Sequence, residues 1–112
     1  MSDAFVTVAS LADLAPGEVR GIEVDGTWIA LARASDGGVH ALADQCSHED
    51  VPLSDGDVED STLECWKHGS QFDLATGRPR QLPAVLPVPV YPVRVDETTG
   101  DIGVDISAPS TA

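Results

Sequence analysis

The chain has 112 residues, 42% of them hydrophobic, and a formal net charge of −13. That length suits one domain around a single core, and the charge argues against nucleic acid and anionic membrane surfaces as partners. No apolar run approaches the roughly 18 residues of a membrane span, and Met1-Ser2-Asp3 does not start a basic-then-apolar signal peptide. With only two cysteines, the sequence predicts a protein of the reducing cytoplasm.

In chain order, Phe5-Val6-Thr7-Val8 is a short β-like run. Ser10 offers a cap for a brief helical turn through Leu14, which Pro16-Gly17 ends. Residues 18–24 and 27–34 read as strands on either side of Asp25-Gly26, a two-residue hairpin signal. Asp36-Gly37-Gly38 is the next turn, and residues 39–43 form another strand, with His40 on the surface. Trp28 is assigned to the core. Residues 44–57 contain Pro52 and Asp55-Gly56 and read as a loop. Residues 58–64 read as one strand, Gln71-Phe72-Asp73 as the next, and Ala75-Thr76-Gly77 as a turn.

Residues 80–84 form a further loop. In residues 85–95, Pro87, Pro89 and Pro92 interrupt a valine-rich run; proline cannot donate to a central ladder, so this segment begins as an edge strand. Residues 96–100 turn, residues 102–106 form the last strand, and 107–112 are expected to be a disordered tail. Short strands every 8–12 residues indicate an all-β sandwich or barrel. The predicted domain is therefore residues 1–106.

The chemistry concentrates in two short motifs. Cys46-Ser47-His48 is followed, after sixteen residues, by Cys65-Trp66-Lys67-His68, which together hold both cysteines and two of the three histidines. Two thiolates and two imidazoles suit zinc, or iron in an iron–sulfur cluster. Zinc fingers bring like ligands from each loop, whereas each loop here is mixed. One cysteine and one histidine per loop is what a binuclear cluster needs if one iron takes two thiolates and the other two imidazoles. A structural zinc site on the same four residues remains an alternative.

With its continuation His68-Gly69-Ser70, this pattern resembles the Rieske family, and the resemblance runs from about Val39 through Leu82-Pro83-Ala84 to Ile106. It implies an antiparallel β-sandwich with a small cluster-binding subdomain of two loops, at about residues 44–84. It implies one [2Fe-2S] cluster, with Cys46 and Cys65 on one iron and His48 and His68 on the other. Ser70 would bond a cluster sulfide, and Pro83 would lie in a segment covering one side. Trp66, between the ligands of the second loop, would shield the thiolate side or anchor the loop.

Replacing two thiolates by neutral imidazoles leaves the oxidised site near zero charge rather than about −2, which eases reduction; Rieske centres span about −150 to +300 mV, against about −400 mV for plant-type clusters. High-potential members of the family add a cysteine after each ligand pair, and those positions are Val51 and Lys67 here. They also place a tyrosine where this chain has Phe72. The expectation is a potential low in the Rieske range and nearly flat with pH around neutrality.

The sequence offers no two-histidine, one-carboxylate iron site and no G-x-G-x-x-G loop. It therefore reads as an electron-transfer component and not an enzyme. The resemblance to the small ferredoxins of multicomponent ring-hydroxylating oxygenases implies transient shuttling between a flavin-dependent, NAD(P)H-consuming reductase and a terminal non-haem iron oxygenase. Other readings are a Rieske carrier for iron–sulfur assembly or another reductase chain, and a zinc-stabilised interaction module. Acidic residues crowd the first motif (Asp44, Glu49, Asp50, Asp55, Asp57, Glu59, Asp60, Glu64), with no Lys or Arg from Asp44 to Glu64. Such a field solubilises the protein or steers it toward basic partners.

Overall fold

Hairpin chemistry at residues 25–26 sets the first sheet. Asp25 and Gly26 both adopt positive φ, 49° and 82°, the turn that matches strand twist. It pairs Val24 with Thr27 and carries the register through Val19 and Ala32. The computed structural model describes residues 5–45, 52–66, 71–79 and 88–110. Among them the strands are β1 (Val6–Ser10), β2 (Val19–Val24), β3 (Thr27–Arg33), β4 (Val39–Ala43), β5 (Asp57–Glu59), β6 (Thr62–Glu64), β7 (Gln71–Asp73), β8 (Val90–Tyr91), β9 (Val93–Val95) and β10 (Asp101–Val104). They form three antiparallel sheets, in the orders β1-β10-β9, β2-β3-β4-β8 and β5-β6-β7.

The four-stranded sheet lies between the other two because β3 is apolar on both faces. Ile29 and Leu31 join Leu14, Ala41, Ile102 and Val104 in one core. Ala30, Ala32 and Leu42 join Leu53, Leu63, Cys65, Phe72, Leu74 and Val88 in the other. The alanines keep the second face of β3 low, so the small sheet packs close to it. The all-β expectation holds, and so does the edge assignment for the described part of the proline-rich segment, from Val88 on; residues 85–87 lie outside the described residues. Pro92 divides that part into β8, at the edge of the four-stranded sheet, and β9, at the edge of the first. The cap also forms as expected: Ser10 Oγ accepts from the Ala12 N–H at 3.2 Å over a 3-10 turn, Leu11–Asp13.

Other expectations are corrected. Residues 58–64 are not one strand but the arms of a tight hairpin, β5 and β6, with Asp60 at φ 55° in the turn. Trp28 is not in the core: it is 56% exposed. It shares a face with Ala30 and Ala32, but the small sheet does not reach that end of β3, and its neighbour across β2 is Glu23. His40 is half-buried rather than on the surface, in a shallow hollow beside Leu74, Val90 and Tyr91. Within residues 107–112, expected to be a disordered tail, Ser110 exchanges two backbone hydrogen bonds of 2.8 Å with Val90 at the open edge of β8; residues 111–112 lie outside the described residues.

Candidate metal centre

Three segments that the sequence singles out begin and end around the small sheet. The first, bearing Cys46 and His48, leaves β4 at Asp44. The Asp44 N–H donates to the Trp28 carbonyl at 3.1 Å. Its carboxylate accepts from the Ser54 N–H and the Ser54 hydroxyl, each at 2.7 Å. This clasp ties the two ends of the segment together across ten residues. Beyond it, the 3-10 turn Leu53–Asp55 buries Leu53 in the core that also holds Cys65. Gly56 then lies against the Glu64 carbonyl so closely that a Cβ would overlap its oxygen. Only glycine permits that approach, and it sets the foot of the first segment beside the foot of the second.

The second segment connects β6 to β7. Glu64 pairs with Gln71 in the ladder, and the Gln71 side-chain amide donates to the Glu64 carboxylate at 3.2 Å. Cys65 follows β6 directly. It is 1% exposed, forms no disulfide, and packs with Leu53, Leu63 and Phe72. Trp66, next in sequence, is 55% exposed. The third segment departs after Pro79, which bridges antiparallel to Phe72, so the chain there runs toward the Gln71 end of β7. It returns at Val88, whose N–H donates to the Gly77 carbonyl at 2.9 Å. Leu53 at the foot of the first segment and Val88 at the foot of the third thus share one core with the buried Cys65.

Of the predicted site residues, Cys65, Trp66 and Phe72 are described, and they lie at this junction. Cys46, His48, His68, Ser70 and Pro83 lie outside the described residues, as do Val51 and Lys67. Among the described residues no cluster of three or more His, Cys, Asp or Glu could hold a metal ion. The donors fit an iron–sulfur group by type. A sulfur donor at the end of a strand in an apolar, water-poor setting suits a thiolate bound to metal, which neutralises its charge. His40 stands apart: burial pulls its imidazole below the ordinary value of 6.5, against the raising influence of Asp36 and Asp73. Sequence reasoning missed the Asp44–Ser54 clasp and the role of Gly56. An aspartate ending a strand and a glycine before the next one were the only signals, and neither names its distant partner.

Residues 4–92 match the Rieske [2Fe-2S] domain. The 3-phenylpropionate/cinnamic acid dioxygenase ferredoxin subunit of Escherichia coli is 39% identical over 97 residues, covering 86% of this chain and 88% of its own. The solved ferredoxin of carbazole 1,9a-dioxygenase from Nocardioides aromaticivorans is 38% identical with a TM-score of 0.82, covering 91% of this chain and 97% of its own. A ferredoxin-sized chain in a solved complex of reduced oxygenase and oxidised ferredoxin in carbazole 1,9a-dioxygenase matches with a TM-score of 0.83 at 30% identity, covering 93% of this chain and 94% of that one.

Proposed function

This chain belongs to the Rieske [2Fe-2S] domain family and takes one such cluster, and from that premise we propose how its residues serve a one-electron carrier. Cys46 and Cys65 hold one iron, and His48 and His68 the other. The observation that carries this reading is the core that the buried Cys65 shares with Leu53 and Val88, at the feet of the other two segments. Residues 1–106 act as one domain, with residues 44–84 as its cluster-binding part. When bound, the cluster supplies the redox chemistry, taking up and releasing one electron.

The chain's own residues hold and tune it. Leu53, Leu63 and Phe72 keep water from the Cys65 sulfur. The Asp44–Ser54 clasp fixes the ends of the first ligand segment. Phe72 is fully buried in that core, and a phenyl ring cannot donate a hydrogen bond to sulfur. That absence of a donor supports a midpoint in the lower part of the Rieske range of about −150 to +300 mV. Ser70 and Pro83 are the further residues we assign to the surroundings of the cluster, with Trp66 at the rim on the thiolate side.

Relatives named as ferredoxin components of dioxygenase systems support the same clients here. Electrons come from a flavin-dependent, NAD(P)H-oxidising reductase and go to a terminal non-haem iron oxygenase, through brief, electrostatically steered contacts. Among the described residues no helix is long and apolar enough to cross a membrane, and we place the protein in the cytoplasm. The test is electron paramagnetic resonance of the dithionite-reduced protein with iron and zinc counts. The lowered average g of mixed Cys/His ligation with two irons per chain supports the assignment, and its loss in Cys65→Ser and His68→Gln supports those ligands. A colourless protein with one zinc per chain overturns it. A midpoint well above zero overturns the account of Phe72.

A further inference from the structure

β3 leaves one large side chain uncovered. Ile29, Ala30, Leu31 and Ala32 are fully buried, yet Trp28 near the start of the same strand is 56% exposed. It forms a wall of an open cleft of about 860 Å³ whose other walls include Val19, Pro52, Asp44, Gln45 and Asp55. A single exposed aromatic is ordinary; its setting gives this one a role. Gly21 forms the floor, where a Cβ would lie 2.7 Å from both Asp44 Oδ2 and Ser54 Oγ. The Asp44 carboxylate is therefore held in place beside the indole. Asp55 is exposed on the far wall, and Glu23 faces Trp28 across the ladder. Arg20 also lines the cleft, but its ladder partner is Leu31, which packs in the opposite core. The Arg20 side chain thus starts from the other face.

We propose that this cleft is a docking site for a cationic side chain, arginine above all, from a basic patch on the redox partner; it rests on the electron-carrier reading. A guanidinium stacks on an indole face, its aliphatic stem lies against Val19 and Pro52, and the carboxylates complement its charge. The place suits the role. The Trp28 carbonyl holds the Asp44 N–H, two residues before Cys46, so a partner seated here stands at the foot of the first ligand segment. Charge selects the occupant. A second copy of a chain with 19 acidic and 6 basic residues is repelled, and an acidic partner likewise.

The test uses the oxidised, cluster-loaded protein with 15N-labelled indoles. Its two tryptophans give two indole signals, and Trp66→Phe assigns them. The probe is the blocked tetrapeptide Leu-Arg-Arg-Leu at low ionic strength. The expected result is a saturable shift of the Trp28 signal, little change at Trp66, and loss of the effect at about 0.5 M salt, where the screening length falls to a few ångströms. A Leu-Glu-Glu-Leu peptide should have no effect. Equal shifts at both tryptophans, no shift at Trp28, or an equal response to an uncharged peptide would overturn the proposal.

A kinetic arm follows oxidation of the reduced protein by cytochrome c, a basic haem protein. Trp28→Ala should slow it about two- to fivefold at low salt, the worth of an exposed cation–π contact, with Trp28→Phe in between. Oxidation by ferricyanide and the paramagnetic signal should not change. An unchanged cytochrome rate overturns the docking role. A protein without a cluster instead removes the carrier reading, while the peptide titration still reports on the cleft.

Discussion

The clasp between Asp44 and Ser54 joins the two ends of the segment that bears Cys46 and His48, the first of the two proposed ligand pairs. Asp44→Ala removes a carboxylate that accepts two hydrogen bonds of 2.7 Å. Hydrogen bonds to a charged group contribute about 1.5–3 kcal/mol each. The site is only partly buried, so the low end applies, and the variant should lose about 3 kcal/mol. Ser54→Ala keeps its own N–H bond to Asp44 and loses only the hydroxyl, at about 1.5 kcal/mol. With a urea m-value of about 2 kcal/mol/M, the midpoints of the cluster-loaded protein should fall by about 1.5 M and 0.8 M, followed by visible circular dichroism. Bleaching by an iron chelator should accelerate in the same order. The double variant should cost little more than Asp44→Ala alone, because both changes remove the same hydroxyl bond. Additive losses, or a Ser54→Ala effect larger than that of Asp44→Ala, would refute the reasoning.

Gly56→Ala forces a Cβ into the Glu64 carbonyl, backbone against backbone, and should cost more than about 4 kcal/mol; a folded, coloured variant with an unshifted urea midpoint would contradict this. Arg33 donates to the carbonyls of Leu14 (2.9 Å), Gly37 (3.1 Å) and Leu11 (3.4 Å), so Arg33→Met should lose about 3 kcal/mol in thermal or urea unfolding. A loss under about 0.5 kcal/mol would place that anchor elsewhere. For His40, burial lowers the folded-state pKa below the ordinary 6.5. The unfolded chain then binds the proton first as pH falls, so the native protein loses stability on acidification below about 6.5, down through the folded value, and not above it. His40→Gln should lack this increment. A wild type that gains on the variant in acid would reverse the sign and the argument.

What was legible in the sequence was local. Asp25-Gly26 dictates a turn whatever surrounds it, Ser10 caps within two residues, and Pro92 forbids a ladder bond wherever the strand goes. What was not legible depends on reach. Asp60 turns a hairpin without the glycine or proline that would mark it. Trp28 has the composition of a core residue and is exposed because the small sheet stops short of it, a fact about the extent of another element. The Asp44–Ser54 clasp spans ten residues, and the need for glycine at 56 exists only once the Glu64 carbonyl lies over it. The Cys-x-His and Cys-x-x-His spacing announced the metal chemistry because ligand sets are read locally; the closeness of Gly56 to Glu64, which brings the feet of the two motifs together, is a property of the packed sheets.

That packing links the metal site to the fold. Strands of three residues are too short to form a stable sheet alone, so β5, β6 and β7 depend on the low alanine face of β3 and on Leu42. Cys65 belongs to the same core as Leu53, Leu63 and Phe72; whatever positions the small sheet also positions the thiol. On the proposed ligation, binding free energy delivered at Cys65 is folding free energy for β5–β7, and the β1-β10-β9 side, joined through Ile29 and Leu31, receives it only by way of β3. Protection of backbone amides on metal loading should accordingly be greatest at Leu63 and Phe72 and least at Val104. The central sheet holds its place between the two cores, and only the core shared with Cys65 touches the small sheet.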